Sequence, residues 1–285
     1  MAGSKLGAAM SAAALIVSAC GTSSPPSAKP TSASPNSADR TSETTPQQPS
    51  SGRMVVHYGD ATTPEAVRGR TLMENTHVME GLAKDVNETL ILPFDIPLVG
   101  SQCGEANDFW TTSAKQMILC YEDVDHSLQI FGDAHAPNPS ETARRIVIGS
   151  FYHELGHMAI DLFELPATGR EEDVADQMAA YNLLQPDAQG KFSPDDVAAA
   201  KDYATAFAIE SKTQDAASKD VLADVHTPDE ARSVNMACWI YGSNPAGSAD
   251  LVAAGTLPQG RADGCQDEYN KLMRAWGKLL EGHWK

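Results

Sequence analysis

Basic side chains are scarce in this chain. Lysines and arginines number 21 against 38 aspartates and glutamates, a formal net charge of −17 over 285 residues. Such a field argues against nucleic acid or an anionic membrane surface as the main partner. It keeps the chain soluble and says little about substrate. No internal repeat is present, so a repeat architecture is not indicated. The cysteines number 5. None has C-x-x-C spacing, which argues against a cysteine zinc site. Beyond the first twenty residues no apolar run is long enough to cross a bilayer as a helix.

What stands at the front is an export signal over residues 1–19. Lys5 supplies the positive end and Leu6 to Val17 the short apolar stretch. It closes on Val17-Ser18-Ala19-Cys20, similar to the bacterial lipobox, in which small residues precede an acylated cysteine that becomes the mature N-terminus. Lipidation of Cys20 is favoured over ordinary cleavage near Ala19. Residues 20–52 then form a Ser/Thr/Pro-rich tether with almost no large apolar residue. It buries too little surface to offset chain entropy, and as a random coil would reach about 30 Å. The expected location is therefore outside the bacterial cytoplasmic membrane, lipid-anchored on its outer face or in the cell envelope. The remaining four cysteines allow three pairings. Short local loops favour Cys103–Cys120 and Cys238–Cys265, each bridge contributing about 3 kcal/mol through the unfolded state.

Residues 53–285 carry the folded domain, with strand-like segments first and helices later, the order of an α+β fold. Strands are expected at 53–58, 89–99 (an edge or bulged strand, because of Pro93 and Pro97), 104–110 and 116–121. Helices are expected at 64–85, 123–131, 171–185, 194–212, 228–241 and 266–281. Another helix should start at Pro139 behind an Asn138 cap, with Glu141 three residues after the cap, and end near Phe163 ahead of Pro166.

That helix carries His153-Glu154-Leu155-Gly156-His157, an H-E-x-x-H pattern. Residues four apart share one helical face, so both imidazoles can reach one metal ion, while Glu154 can deprotonate a metal-activated water. A catalytic zinc needs a third protein ligand. Glu172 is preferred to Glu171, because Asp176 lies one turn beyond Glu172 and can orient a ligating histidine. Ile160 and Phe163 stand where the metzincin pattern needs Gly and His. Asp161, on the histidine face, suits a role behind the ligands. His57, His77, His126, His135 and His283 have no partner pattern and read as surface or packing residues.

With His153, Glu154, His157, Glu172 and Asp176 in place, the chain resembles the gluzincin metallopeptidases, and within them the neprilysin-like branch. Asn107-Asp108-Phe109-Trp110 resembles the branch's Asn-Ala-Phe-Tyr/Trp stretch. Asp224-Val225-His226-Thr227-Pro228-Asp229-Glu230-Ala231-Arg232 resembles its Asp-x-His-x-Pro-x-x-x-Arg stretch. The resemblance implies a zincin-like fold: a small N-terminal sheet with helices (about 53–163), a mainly helical lobe (about 164–285), and an active site in the cleft between. It implies that Asn107 and the Asp108 backbone hold an extended peptide, that His226, oriented by Asp224, stabilises an oxyanion, and that Arg232 binds a substrate carbonyl or carboxylate. Asp108 departs from the branch's small alanine, which puts that subsite's shape in doubt. The chain as a whole resembles a bacterial family of metallopeptidases of uncharacterised function, over most of residues 54–285. In that family Cys103-Gly104-Glu105-Ala106-Asn107, Cys120-Tyr121-Glu122, the histidine motif and Gly169-Arg170-Glu171-Glu172-Asp173 recur together.

The expectation is a monomeric, lipid-anchored peptidase with one Zn²⁺ on His153, His157 and Glu172, Glu154 as general base, and a peptide or protein as substrate. The rival is a catalytically silent zinc-binding lipoprotein that captures peptides or cell-envelope components. A zinc amidase acting on wall peptides would share the chemistry and differ in substrate.

Overall fold

The computed structural model describes residues 52–215 and 218–285. The export signal (1–19), the Cys20 acylation site and residues 21–51 of the tether lie outside them. Gly52, the last residue assigned to the tether, already donates its N–H to the Leu92 carbonyl.

Strand β1 (Met54–Tyr58) leads into helix α1 (Pro64–Thr76) and helix α2 (Val78–Thr89). The single helix expected over 64–85 is broken at His77, which adopts a left-handed conformation (φ 51°) between the two. The buried pair Leu72/Met73 is followed six residues later by Val78/Met79. One straight helix would turn those pairs to different sides, and the break brings both to one core.

Strands β2 (Ile96–Ser101), β3 (Asp108–Thr111) and β4 (Gln116–Cys120) complete a four-stranded mixed sheet of order β1-β2-β4-β3. β2 runs parallel to β1 and β4, and β3 pairs antiparallel with β4 at the sheet's edge. The expected edge strand at 89–99 is corrected: it begins later, at Ile96, and is interior. Pro97 is tolerated there because pairing with β4 starts only at Leu98, so its missing N–H is not required by that ladder. Met117 and Leu119 of β4 and Ile96 and Leu98 of β2 alternate into the core.

Helix α3 (Tyr121–Asp133) follows β4 directly, and the 24-residue α4 (Pro139–Leu162) runs past the β3–β4 hairpin. The Asn138 side chain accepts the Glu141 N–H and Pro139 opens the first turn, as expected. The rest is helical: α5 (Glu171–Leu183), α6 (Pro194–Glu210), α7 (Lys219–Ala223), α8 (Asp229–Ser243), the short α9 (Ala249–Ala253) and α10 (Gln259–Ala262), and α11 (Cys265–Leu279). The architecture is therefore α+β and mostly helical. α4 packs against α3, α5 and α6, which places the motif helix at the centre of the described residues.

Two disulfides close the loops favoured from sequence, Cys103–Cys120 and Cys238–Cys265. The first works with Glu122, whose carboxylate accepts the Cys103 and Gly104 N–H groups, both at 2.9 Å. Together they pin the loop that delivers β3. Two disulfides indicate an extracytoplasmic, oxidising environment. Among the described residues no helix is long and apolar enough to cross a membrane.

Candidate metal centre

One helical turn separates His153 from His157 on α4, and their Nε2 atoms lie 3.2 Å apart. Helix α5 crosses beside them and supplies Glu172. Its Oε2 is 3.1 Å from His153 Nε2 and 3.2 Å from His157 Nε2. Donor atoms of these three residues all lie within 4.8 Å of one another, and no other such group occurs among the described residues. Gly156 permits the close crossing. A Cβ there would stand 2.8 Å from the Ala175 Cα and 3.0 Å from the Met178 Cβ.

Each ring's remaining nitrogen is held by an acid. His153 Nδ1 is 2.8 Å from Asp176 Oδ1, and His157 Nδ1 is 2.8 Å from Glu171 Oε1. Both contacts direct Nε2 towards Glu172. Sequence reasoning found Asp176 through its i, i+4 offset from Glu172 but gave Glu171 no role. Glu171 supports the other histidine from the first residue of α5, a contact across two helices that no spacing rule within α5 reveals.

Arg232 on α8 clamps Asp176 from behind through Nε (2.8 Å) and Nη2 (2.7 Å). Its guanidinium lies 4.0 Å above the Phe207 ring, and the side chain is 10% exposed. The expected contact of Arg232 with a substrate carbonyl or carboxylate is thus joined by a second role, and Arg232 also lines the cavity beside the site. Its Nε and Nη2 are engaged by Asp176, which links it to His153. Asp161 is corrected. It contacts neither imidazole but accepts the Trp110 indole N–H at 2.8 Å and the Lys115 ammonium at 2.6 Å, tying the β3–β4 hairpin to α4.

Glu154 spans from the centre to the sheet edge: its Oε1 lies 4.0 Å from His153 Nε2 and its Oε2 accepts the Trp110 backbone N–H at 2.7 Å. Asn107 is exposed beside it. The Asp108 carboxylate bends back to accept the Cys120 N–H at 2.7 Å. His226 approaches from the α7–α8 connection, its Nε2 3.1 Å from Glu172 Oε2 and its Nδ1 2.9 Å from Asp224 Oδ1. Arg170 fastens that connection by donating to the Asp224 and His226 carbonyls.

The electrostatics favour positive charge at this point. Burial alone would pull the His153 imidazole down, but its contacts with Asp176 and Glu172 raise it to about 9. Burial would raise Glu172, yet the hydrogen bonds from His153, His157 and His226 hold it far below the ordinary carboxylate range. Asp176 is likewise brought down to about 2, Arg232 outweighing burial. Burial raises Glu154 above its usual value. Two nitrogens and a carboxylate oxygen converge where cationic charge is stabilised, and that donor set fits a divalent metal ion.

A family model described as "putative metallopeptidase" matches residues 58–280. The chain belongs to that family. No curated protein and no solved structure matches the chain. The matched span contains all of β2 to α11, and with it every residue of the metal centre. Membership in a metallopeptidase family implies a metal ion, and His153, His157 and Glu172 are the group able to hold one. A metal-dependent peptidase is the activity this family indicates.

Proposed function

We propose that this protein is an extracytoplasmic zinc peptidase of the gluzincin type, anchored by a lipid on Cys20. The carrying observation is the convergence of His153, His157 and Glu172 with the Glu154 carboxylate alongside, bonded to the edge strand β3. Zinc matches a donor set of two imidazoles and one carboxylate, and when bound would polarise a carbonyl and acidify a water.

The chain's own residues then divide the work. A peptide laid along β3 would find the backbone of Asp108 and the Asn107 amide at the exposed edge. Glu154 takes the proton from the attacking water and passes it to the leaving amine. Burial, which raises its carboxyl, suits it to that exchange. His226, oriented by Asp224, donates to the developing oxyanion. Asp176 and Glu171 keep the ligating nitrogens aimed at one point, and Arg232 keeps Asp176 in place.

The silent-lipoprotein alternative is less favoured, because a structural zinc fills its fourth position with protein. His226 lies outside the mutually close donor group, which leaves three protein ligands. The test is turnover of a mixed peptide library by the zinc-loaded full chain, with and without chelator, beside Glu154→Gln. Wild type should cleave only with metal, and E154Q should keep zinc while losing turnover by several orders of magnitude. Full activity in E154Q would end the proposed mechanism.

A further inference from the structure

A cavity of about 340 Å³ opens beside the metal centre and reaches Ser150, His153, Glu154 and His226. Its far wall carries Asp123 from α3, Glu210 from the end of α6 and Asp229 from the start of α8. Asp123 is half-buried, and among the described residues no hydrogen-bond donor reaches its carboxylate, His126 being the cationic neighbour that acts on it. Glu210 shares its charge with one neutralising neighbour, His126, at 2.9 Å. The fixed cation of this cavity, Arg232, is already committed to Asp176.

Three carboxylates facing one cavity could instead be a second metal site. Their oxygens do not converge: among the described residues the one close donor group is His153, His157 and Glu172. Acids spread around a cavity suit a larger organic cation, whose several donors reach them separately. The rest of the lining agrees. Ile130, Ile146 and the rings of Tyr203 and Phe207 offer apolar wall to an aliphatic stem with the charge at its far end. A second cavity, of about 630 Å³, lies on the other side of Glu154 and His226 and is lined by Phe109, Trp110 and Val225. The reaction centre therefore sits between an acidic chamber and a more apolar one.

We infer that the acidic cavity receives the lysine or arginine side chain of a residue flanking the scissile bond, with Asp123 and Glu210 as the specificity-determining groups. This rests on the peptidase reading for the meaning of "scissile", but not for binding.

The test uses the zinc-loaded full chain in two arms. In the first, E154Q is titrated calorimetrically with peptide pairs that differ only by lysine or norleucine at successive positions. At one position lysine should bind about tenfold tighter, the scale of a desolvated charge-assisted contact. D123N and E210Q, each placed in the E154Q background and read separately in case one fails to fold, should shrink that ratio. In the second arm, wild-type cleavage positions in a peptide library are mapped by mass spectrometry. Lysine and arginine should be enriched at one fixed flanking position. Selective binding without turnover would sustain the pocket and sink the peptidase reading. Turnover with no basic preference in either arm would overturn the pocket alone. A lysine preference untouched by D123N and E210Q would also overturn this assignment.

Discussion

Gly156 and Ala175 meet where α4 crosses α5, so closely that a methyl group on Gly156 would stand 2.8 Å from the Ala175 Cα. That approach sets the distance between the histidines on one helix and Glu172 on the other. Gly156→Ala should push α5 outward by several tenths of an ångström and draw Glu172 off the imidazoles. We expect a stability loss of about 1–3 kcal/mol, the usual range for overpacking, together with weaker zinc binding. Thermal unfolding of the metal-free protein and a competitive zinc titration read the two effects apart. Wild-type affinity in this variant would show that the crossing does not position the ligand.

Asp176 joins Arg232 to His153. Asp176→Asn should lower zinc affinity by about 10- to 100-fold, the range seen when a ligand's supporting hydrogen bond is weakened. It should also destabilise the fold by about 3–5 kcal/mol, because Arg232 is left as a buried, uncompensated cation. Arg232→Met separates positioning from substrate contact. If Arg232 works through Asp176, zinc affinity and kcat fall while KM for peptides of different C-terminal structure moves little. A rise in KM confined to one peptide class would show the direct role.

Cys238–Cys265 ties α8, which carries Arg232, to α11. Replacing both cysteines by serine should cost roughly 2–5 kcal/mol, as for other native bridges in exported domains. Chemical denaturation with and without reductant checks this. Equal midpoints for wild type and the double variant under oxidising conditions would contradict it.

Acid stability should depend on a pair outside the metal centre. Asp125 on α3 is bound by Arg68 through Nε (2.6 Å) and Nη2 (2.8 Å), with Gln129 also donating to it. Arg68, then its other contacts, hold the Asp125 carboxyl below its ordinary 3.8. A carboxyl lowered on folding adds stability above its unfolded pKa, and that stability is lost as pH falls through the folded value. Arg68→Met should therefore be less stable than wild type at pH 7, and the gap should close as pH drops below about 4. Urea midpoints across pH 3–7 test the sign. A gap that widened with acid would be the wrong one.

Lipid attachment is checked in the same spirit. Cys20→Ser should release the chain from the membrane fraction, and incorporation of a labelled fatty acid should disappear with it. Membrane retention of the variant would remove Cys20 from the account.

Much of this centre was legible in the chain. The four-residue offset of His153 and His157 needs only helical geometry. Asn138 and Pro139 mark where that helix begins, and Pro166 limits it. Asp176 followed from its spacing to Glu172, and both disulfides from loop length. The strand at 96–101 was misread as an edge because a proline's effect depends on which neighbour pairs with it. The break at His77 was missed because a helical pattern does not show where two short helices must diverge to share one core.

Local order belongs to the sequence: which residues ride on one helical face and where caps begin a helix. Those properties depend on spacings of a few residues, and backbone geometry converts them directly into direction. What only the tertiary structure decided were the pairings between elements distant in the chain. Glu171 behind His157, Arg232 bound to Asp176, Asp161 holding Trp110, and Asp123 facing the cavity all arise from elements packed side by side. Packing is set by the fit of whole surfaces, and no short stretch of sequence contains both halves of such a fit.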